Sequence, residues 1–421
     1  MRTLQFATLM CLVILSAACG PTWKTNLLVN SRKVALALND PADLPAEPFN
    51  PELVPNFDAP KRIRPCCAFG MDLKAKLGPI PVIGYENGNI LQADAVGPHG
   101  YDNANIAREH NGLVYTCRGG YIDIAHIRDN ADRTLFLTMQ IVRHLPDGGT
   151  VEMPEEGTLR RIIIKPLPKG MLGRHGRWNI AMRMAEWINF KMSVWHEIAT
   201  WYGWESVKGF SERLSAFSPE DLYSNVLGQK LAVGMIYNNE ADSRSQYDQN
   251  VTIWIQAALR RLGAVKLEDA RLATKLVDGL WWDSTKSLPD FKLVLRRNLK
   301  TASPLAPWIV EDSLPQERIT PLVTQMCAKQ PPPLPLSYPE QIGDDKIESL
   351  LKIEFEFSGW IPDAFPVPAK KGVVFTQEEF PKILEDIHRQ GEVELSPGFD
   401  DARGEVKKAR PAVSFLFRNS R

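Results

Sequence analysis

Residues Trp178–Tyr202 read WNIAMRMAEWINFKMSVWHEIATWY and are followed by Gly203. The run predicts a helix that the glycine ends. Five of the chain's eleven tryptophans fall between Trp178 and Trp204, so this helix is apolar around most of its circumference and belongs in the interior. Yet Asn189, Ser193, His196 and Thr200 follow one another at steps of four, three and four residues, which aligns them on one face. Glu197 lies beside that stripe. Buried polar groups without partners are costly. The stripe must therefore meet a polar cavity, a ligand or another helix.

Working outward, the chain reads as α+β with a helical centre. Upstream, Ile124, Ile127, Ala131, Leu135, Met139 and Val142 recur at helical steps, and Pro146-Asp147-Gly148-Gly149 stops them. Leu113–Cys117 and the β-branched run Arg161–Lys165 read as strands. Downstream, Ser218-Pro219-Glu220-Asp221 offers an N-cap, a proline at the first helical position and acids in the first turn. Helices are expected near Gln246–Leu262 and Glu268–Trp282. The segment Pro304–Pro339 is proline-rich. Beyond it, Lys352–Phe357 alternates charged and apolar residues as a half-buried strand. Gln377–Arg389 reads as a short helix and Ala412–Phe417 as a last strand. The expected organisation is a main helical domain over 61–300, a connection over 301–340, and a small α/β part over 341–421 packed on the main domain.

Composition narrows the class of function. The 421 residues carry 50 Lys+Arg against 50 Asp+Glu, with no basic stripe, so nucleic-acid binding is excluded as a default. Apolar residues make up 44%, too many for a mostly disordered chain. The 32 prolines imply long irregular connections.

The N-terminus points to export. Arg2, the apolar run Leu9–Leu15 and then Ser16-Ala17-Ala18-Cys19-Gly20 have the anatomy of a secretory signal over residues 1–19. Small residues directly before Cys19 resemble a bacterial lipobox, although Ser16 stands where leucine is preferred. That resemblance implies a lipid, palmitate included, on Cys19 after cleavage. It makes the membrane the expected partner, and the inner leaflet of the outer membrane, facing the periplasm, the expected location. Residues 20–60, rich in proline, read as an extended tether. Cys66, Cys67, Cys117 and Cys327 remain in the mature chain. An oxidising periplasm permits disulfides among them, with three possible connectivities.

His196-Glu197 resembles the first half of the zincin pattern, in which two histidines one turn apart bind zinc and the glutamate activates water. Thr200 stands where the second histidine would be, so further ligands must come from elsewhere. His126 is the best candidate, in a polar patch with Asp123, Asp129 and Asn130 on the preceding helix. His126, His196, Asp123 and Glu212 are the expected metal ligands, Glu197 the expected general base, and zinc the first metal to consider. Core histidines held by hydrogen bonds would explain the same pattern. Asp221 could add a ligand but also fits a capping role, and Ser218 reads as an N-cap rather than a nucleophile. A rival is Cys117, near Arg118 and a helix N-terminus, as the nucleophile of a thiol hydrolase. Trp281-Trp282 reads as packing. A non-enzymatic scaffold or binding lipoprotein is the alternative to either hydrolase.

Taken together, Arg64-Pro65-Cys66-Cys67-Ala68-Phe69-Gly70, Asn111–Arg128 with Asp123 and His126, Trp195–Gly203 and Ser215–Gly228 resemble an uncharacterised group of bacterial lipoproteins, domain-of-unknown-function family 4056. The resemblance spans about residues 60–390. It implies an envelope location and a shared architecture, and it transfers no catalytic residues.

Overall fold

The apolar period through Ile124, Ile127 and Leu135 builds a helix at the centre of the molecule, with these side chains fully buried. The computed structural model describes residues 27–39, 54–65, 68–77, 80–83, 89–206, 211–288, 290–319 and 321–395. It is an α+β fold. In chain order the longer helices are α1 (Leu27–Leu38), α2 (Ile124–His144), α3 (Arg177–Trp201), α4 (Asp221–Tyr237), α5 (Arg244–Arg261), α6 (Leu267–Leu276) and α7 (Phe380–Leu395). No helix among the described residues is long and apolar enough to cross a membrane.

Helices α3 and α4 pack along α2, and this trio sets the site. The approach of α4 to α2 is governed by Gly228. A Cβ there would lie 2.3 Å from the backbone oxygen of Ile127, so only glycine lets the two backbones touch. Asn225, one turn before Gly228, is thereby brought against His126.

The strands that bear on the site are β1 (Leu113–Thr116), β2 (Gly120–Asp123), β3 (Gly149–Glu156), β4 (Thr158–Ile164), β5 (Leu351–Phe357) and β6 (Val374–Thr376). Strands β1 and β2 form a hairpin that leads into α2. The main sheet is antiparallel in the order β6-β5-β4-β3, with Thr158 opposite Phe357 and Ile164 opposite Leu351. Along β5, Leu351, Ile353, Phe355 and Phe357 are buried while Lys352, Glu354 and Glu356 are half-buried, as period-two alternation demands. The buried face meets α3 through Trp195, whose ring lies 5.0 Å from that of Phe355. Strand β5 thus joins the C-terminal segment to a hairpin of the central region.

Several local expectations are corrected. Within 20–60, Leu27–Leu38 is helical rather than extended; it packs on α5 and α4 with Val34, Ala37 and Leu38 buried. This stretch precedes the run of prolines, which explains why a helix can form there. Helix α2 begins at Ile124, because residues 120–123 pair as β2 and Asp123 caps the helix. Helix α4 begins at Asp221 with Glu220 at the N-cap, so Ser218 is not the cap. Helix α6 stops at Leu276, and Trp281 and Trp282 are buried in irregular chain, with Trp282 Nε1 donating to Thr274 O at 2.9 Å. Strand β3, absent from the sequence reading, carries Pro154 at a bulge on the sheet's edge, where a missing N–H is tolerated. The strand expected at Ala412–Phe417, the signal, Cys19, Cys66 and Cys67 lie outside the described residues.

Candidate metal centre

Helix α2 delivers His126 from its first turn, α3 delivers Glu197, and α4 delivers Asp221 as its first residue. All three are buried, and one ligand atom from each lies within 4.8 Å of the others. His126 Nδ1 is hydrogen-bonded to Asn225 Oδ1 at 2.8 Å, which orients the ring. Nε2 lies 3.7 Å from Asp221 Oδ1. Glu197 Oε2 accepts from the backbone N–H of Phe217 at 2.8 Å, and its Oε1 has no hydrogen-bond partner among the described residues. Phe217 adopts φ +57, a left-handed conformation costing a bulky residue on the order of 1–3 kcal/mol. The strained turn aims this N–H at the carboxylate.

The electrostatics are unbalanced. Asp123, Glu197, Glu220 and Asp221 form a buried acidic cluster, and neither Glu220 nor Asp221 accepts a side-chain hydrogen bond among the described residues. Burial first, then the neighbouring carboxylates, pushes the carboxyls of Glu220 and Asp221 well above their ordinary range. Arg297 is the nearby cation, but its Nη1 is committed to the carbonyls of Leu214 and Ala216 at 2.6 and 2.9 Å. Such a cluster must hold protons or a cation. A buried imidazole with two carboxylates is a donor set suited to a divalent ion such as zinc.

His196 faces His126, their ring centroids 6.3 Å apart, but its Nδ1 is taken by Glu156 Oε1 at 2.5 Å. Glu156 is also paired with Arg160, which together with His196 holds its carboxyl well below the usual range despite complete burial. Burial alone would lower the His196 pKa, yet Glu156 outweighs it and raises it to about 9. This favours the imidazolium form of His196 beside the carboxylate, and the ring lines the same cleft as His126, Glu197, Ser193 and Asn225. The cleft holds about 290 Å³ of empty space, part of it open to solvent.

The structure brings together His126 and Glu197 as expected and adds Asp221. Asp123 stays beside them as the α2 cap, accepting from the N–H groups of Ala125 and His126 at 2.6 and 3.2 Å. Glu212 is engaged elsewhere, by Ser206 N at 3.0 Å and Ser206 Oγ at 2.6 Å. Asp129 belongs to a separate cluster around Arg64. The rest of the α3 stripe is satisfied within the protein except at Asn189 Oδ1, which has no hydrogen-bond partner among the described residues. Asn189 donates to Asn130 O and Thr134 Oγ1, Ser193 to Asn130 Oδ1, and Thr200 back to its own helix. Cys117 is bonded to Cys327, their Cα atoms 5.4 Å apart, and so carries no thiol in this state. Glu156 was missed by sequence reasoning. Its one signal is its place at the end of an alternating run, Val151 and Met153 inward, Glu152 outward.

The fold and site define a class: an α+β protein with a buried histidine–carboxylate centre between three helices. Within it, this chain belongs to the DUF4056 family of proteins of unknown function, whose model matches residues 54–311, more than half of the chain. No curated protein matches the chain, and no solved structure does.

Proposed function

We propose that this chain is a lipid-anchored protein of the bacterial cell envelope that carries out metal-assisted hydrolysis of an envelope substrate, with zinc the first metal to test. The observation that carries the reading is the convergence of His126, Glu197 and Asp221 within 4.8 Å in a buried position beside a solvent-open cleft. His126 Nε2 and Asp221 act as ligands. Glu197, with Oε1 unengaged among the described residues, is a ligand or the base that takes a proton from water whose acidity a bound divalent ion would increase. The anchor rests on the segment ending at Cys19. The Cys117–Cys327 bond supports an oxidising compartment.

The test is metal content by mass spectrometry on untagged mature chain, beside folded His126→Ala. About one equivalent of zinc or another divalent metal in the parent, lost in the variant, is expected of a dedicated site. A parent that binds none would sink the hydrolase. Palmitate labelling lost in Cys19→Ala tests the anchor separately.

A second reading, a non-enzymatic scaffold or binding lipoprotein, is favoured by the Asn189–Ser193 half of the stripe, whose donors are committed to Asn130 and Thr134.

A further inference from the structure

Arg133 lies two turns beyond His126 on the same face of α2 and lines the same cleft. It is 7% exposed, yet its side chain makes no hydrogen bond and no ion pair among the described residues. The other buried arginines there are tightly held. Arg64 binds Glu109, Arg128 binds Asn111 and the carbonyl of Val96, and Arg160 binds Glu156 and the carbonyl of Pro154. The charge of Arg133 does favour ionised Asp129 and Glu156. Asp129, however, is already bound by Arg64, and Glu156 by Arg160 and His196. The Arg133 fork, although the side chain is more than nine-tenths buried, keeps solvent access at its nitrogens and opens unengaged towards the cleft. It is matched geometrically to the paired oxygens of a phosphoryl or carboxylate group.

We infer that Arg133 is the receptor for an oxyanion, the phosphoryl or carboxylate end of the molecule this cleft takes. The cleft is small, so the anionic end enters and the remainder stays outside. Its wall also carries His126 of α2 and Glu197 of α3, with Asp221 of α4 within 4.8 Å of both. A ligand held by Arg133 therefore reaches towards that centre. The inference rests on the hydrolase reading for its catalytic meaning, and it narrows the substrate to one with an anionic group beside the bond to be cleaved.

The experiment is calorimetric titration of the mature full chain with inorganic phosphate and with acetate, before and after zinc loading, with metal content measured on the same samples. Saturable binding of one anion is expected, weakened at least tenfold in Arg133→Gln of unchanged circular dichroism and less in Arg133→Lys, which keeps the charge and loses the fork. A preference for phosphate assigns a phosphoryl group, and the reverse assigns a carboxylate. If neither anion binds the parent, or if folded Arg133→Gln binds as the parent does, the inference is overturned. Should Arg133→Gln not fold, Arg133→Lys decides: affinity equal to the parent overturns it. Anion binding in protein that takes up no metal would sink the hydrolase and leave this role of Arg133 standing. Metal uptake without anion binding would do the opposite.

Discussion

Helix α2 carries two buried polar clusters, and they are built on opposite principles. Around Arg64 every group is used. Its Nε and Nη2 donate to Glu109 at 2.6 and 2.8 Å, and its Nη1 donates to Asp129 and Asp132 at 2.7 and 3.1 Å. Asp132 also meets His99 Nε2 and Tyr247 Oη, each at 2.9 Å. Although burial opposes ionisation, these partners hold the carboxyls of Glu109 and Asp132 below their ordinary range, while at Asp129 burial outweighs Arg64 and raises it. One turn towards the N-terminus, the His126 centre has carboxylates pushed the other way, and among the described residues no lysine or arginine pairs with Glu220 or Asp221. A closed network secures a fold. An open one of equal burial spends stability for a ligand.

The largest expected effect comes from breaking the closed cluster. Arg64→Met leaves Glu109, Asp129 and Asp132 buried without their cation, at a cost of about 3–5 kcal/mol in urea unfolding at pH 7. The sign of the pH dependence follows from the depressed carboxyls. Glu109 and Asp132 contribute stability that is fully present above their unfolded-state values, near 4, and is lost as pH falls through their folded values. The gap between parent and variant must therefore narrow in acid. A gap that is small, or that widens in acid, would mean the cluster is not the clamp described.

Asp221→Asn tests the open cluster and should act in the reverse direction. The substitution removes a carboxyl whose ionisation burial opposes and that no side-chain donor among the described residues satisfies. Unfolding in the presence of a chelator is expected to show a gain of about 1–3 kcal/mol. Zinc at a hundred times its Kd should stabilise the parent by about 2.7 kcal/mol and the variant far less. Loss of stability in the metal-free variant would show this cluster to be as closed as the one around Arg64.

The helical half of this comparison was legible in sequence, because a 3.6-residue period displays which side chains share a face. His126 and Glu197 were visible in that way, and so was the need of the α3 stripe for partners. Asp221 was half-hidden, since an acid at a helix start reads equally well as a cap. Glu156 was invisible for a different reason. It reaches His196 only after β3 turns into β4, and sheet pairing is a relation between segments rather than a local period. The same holds for β5, whose alternation was plain but whose partner, β4, was not. Cysteine pairing was open for the same cause, and the structure chooses Cys117 with Cys327.

The smallest expected effect sharpens the edge of the centre. Sequence reasoning counts Glu212 among the ligands, while its carboxylate is held by Ser206 N and Ser206 Oγ at 3.0 and 2.6 Å. In Glu212→Gln the amide oxygen can keep one of those bonds, and the serine hydroxyl can turn to accept from the new amide. The loss should be about 0.5–1.5 kcal/mol, one ordinary hydrogen bond, with metal content unchanged by mass spectrometry. Loss of the metal from a folded Glu212→Gln would move the centre towards His196. The divide would then run between Arg64 and everything on the other side of His126, rather than through the α3 stripe.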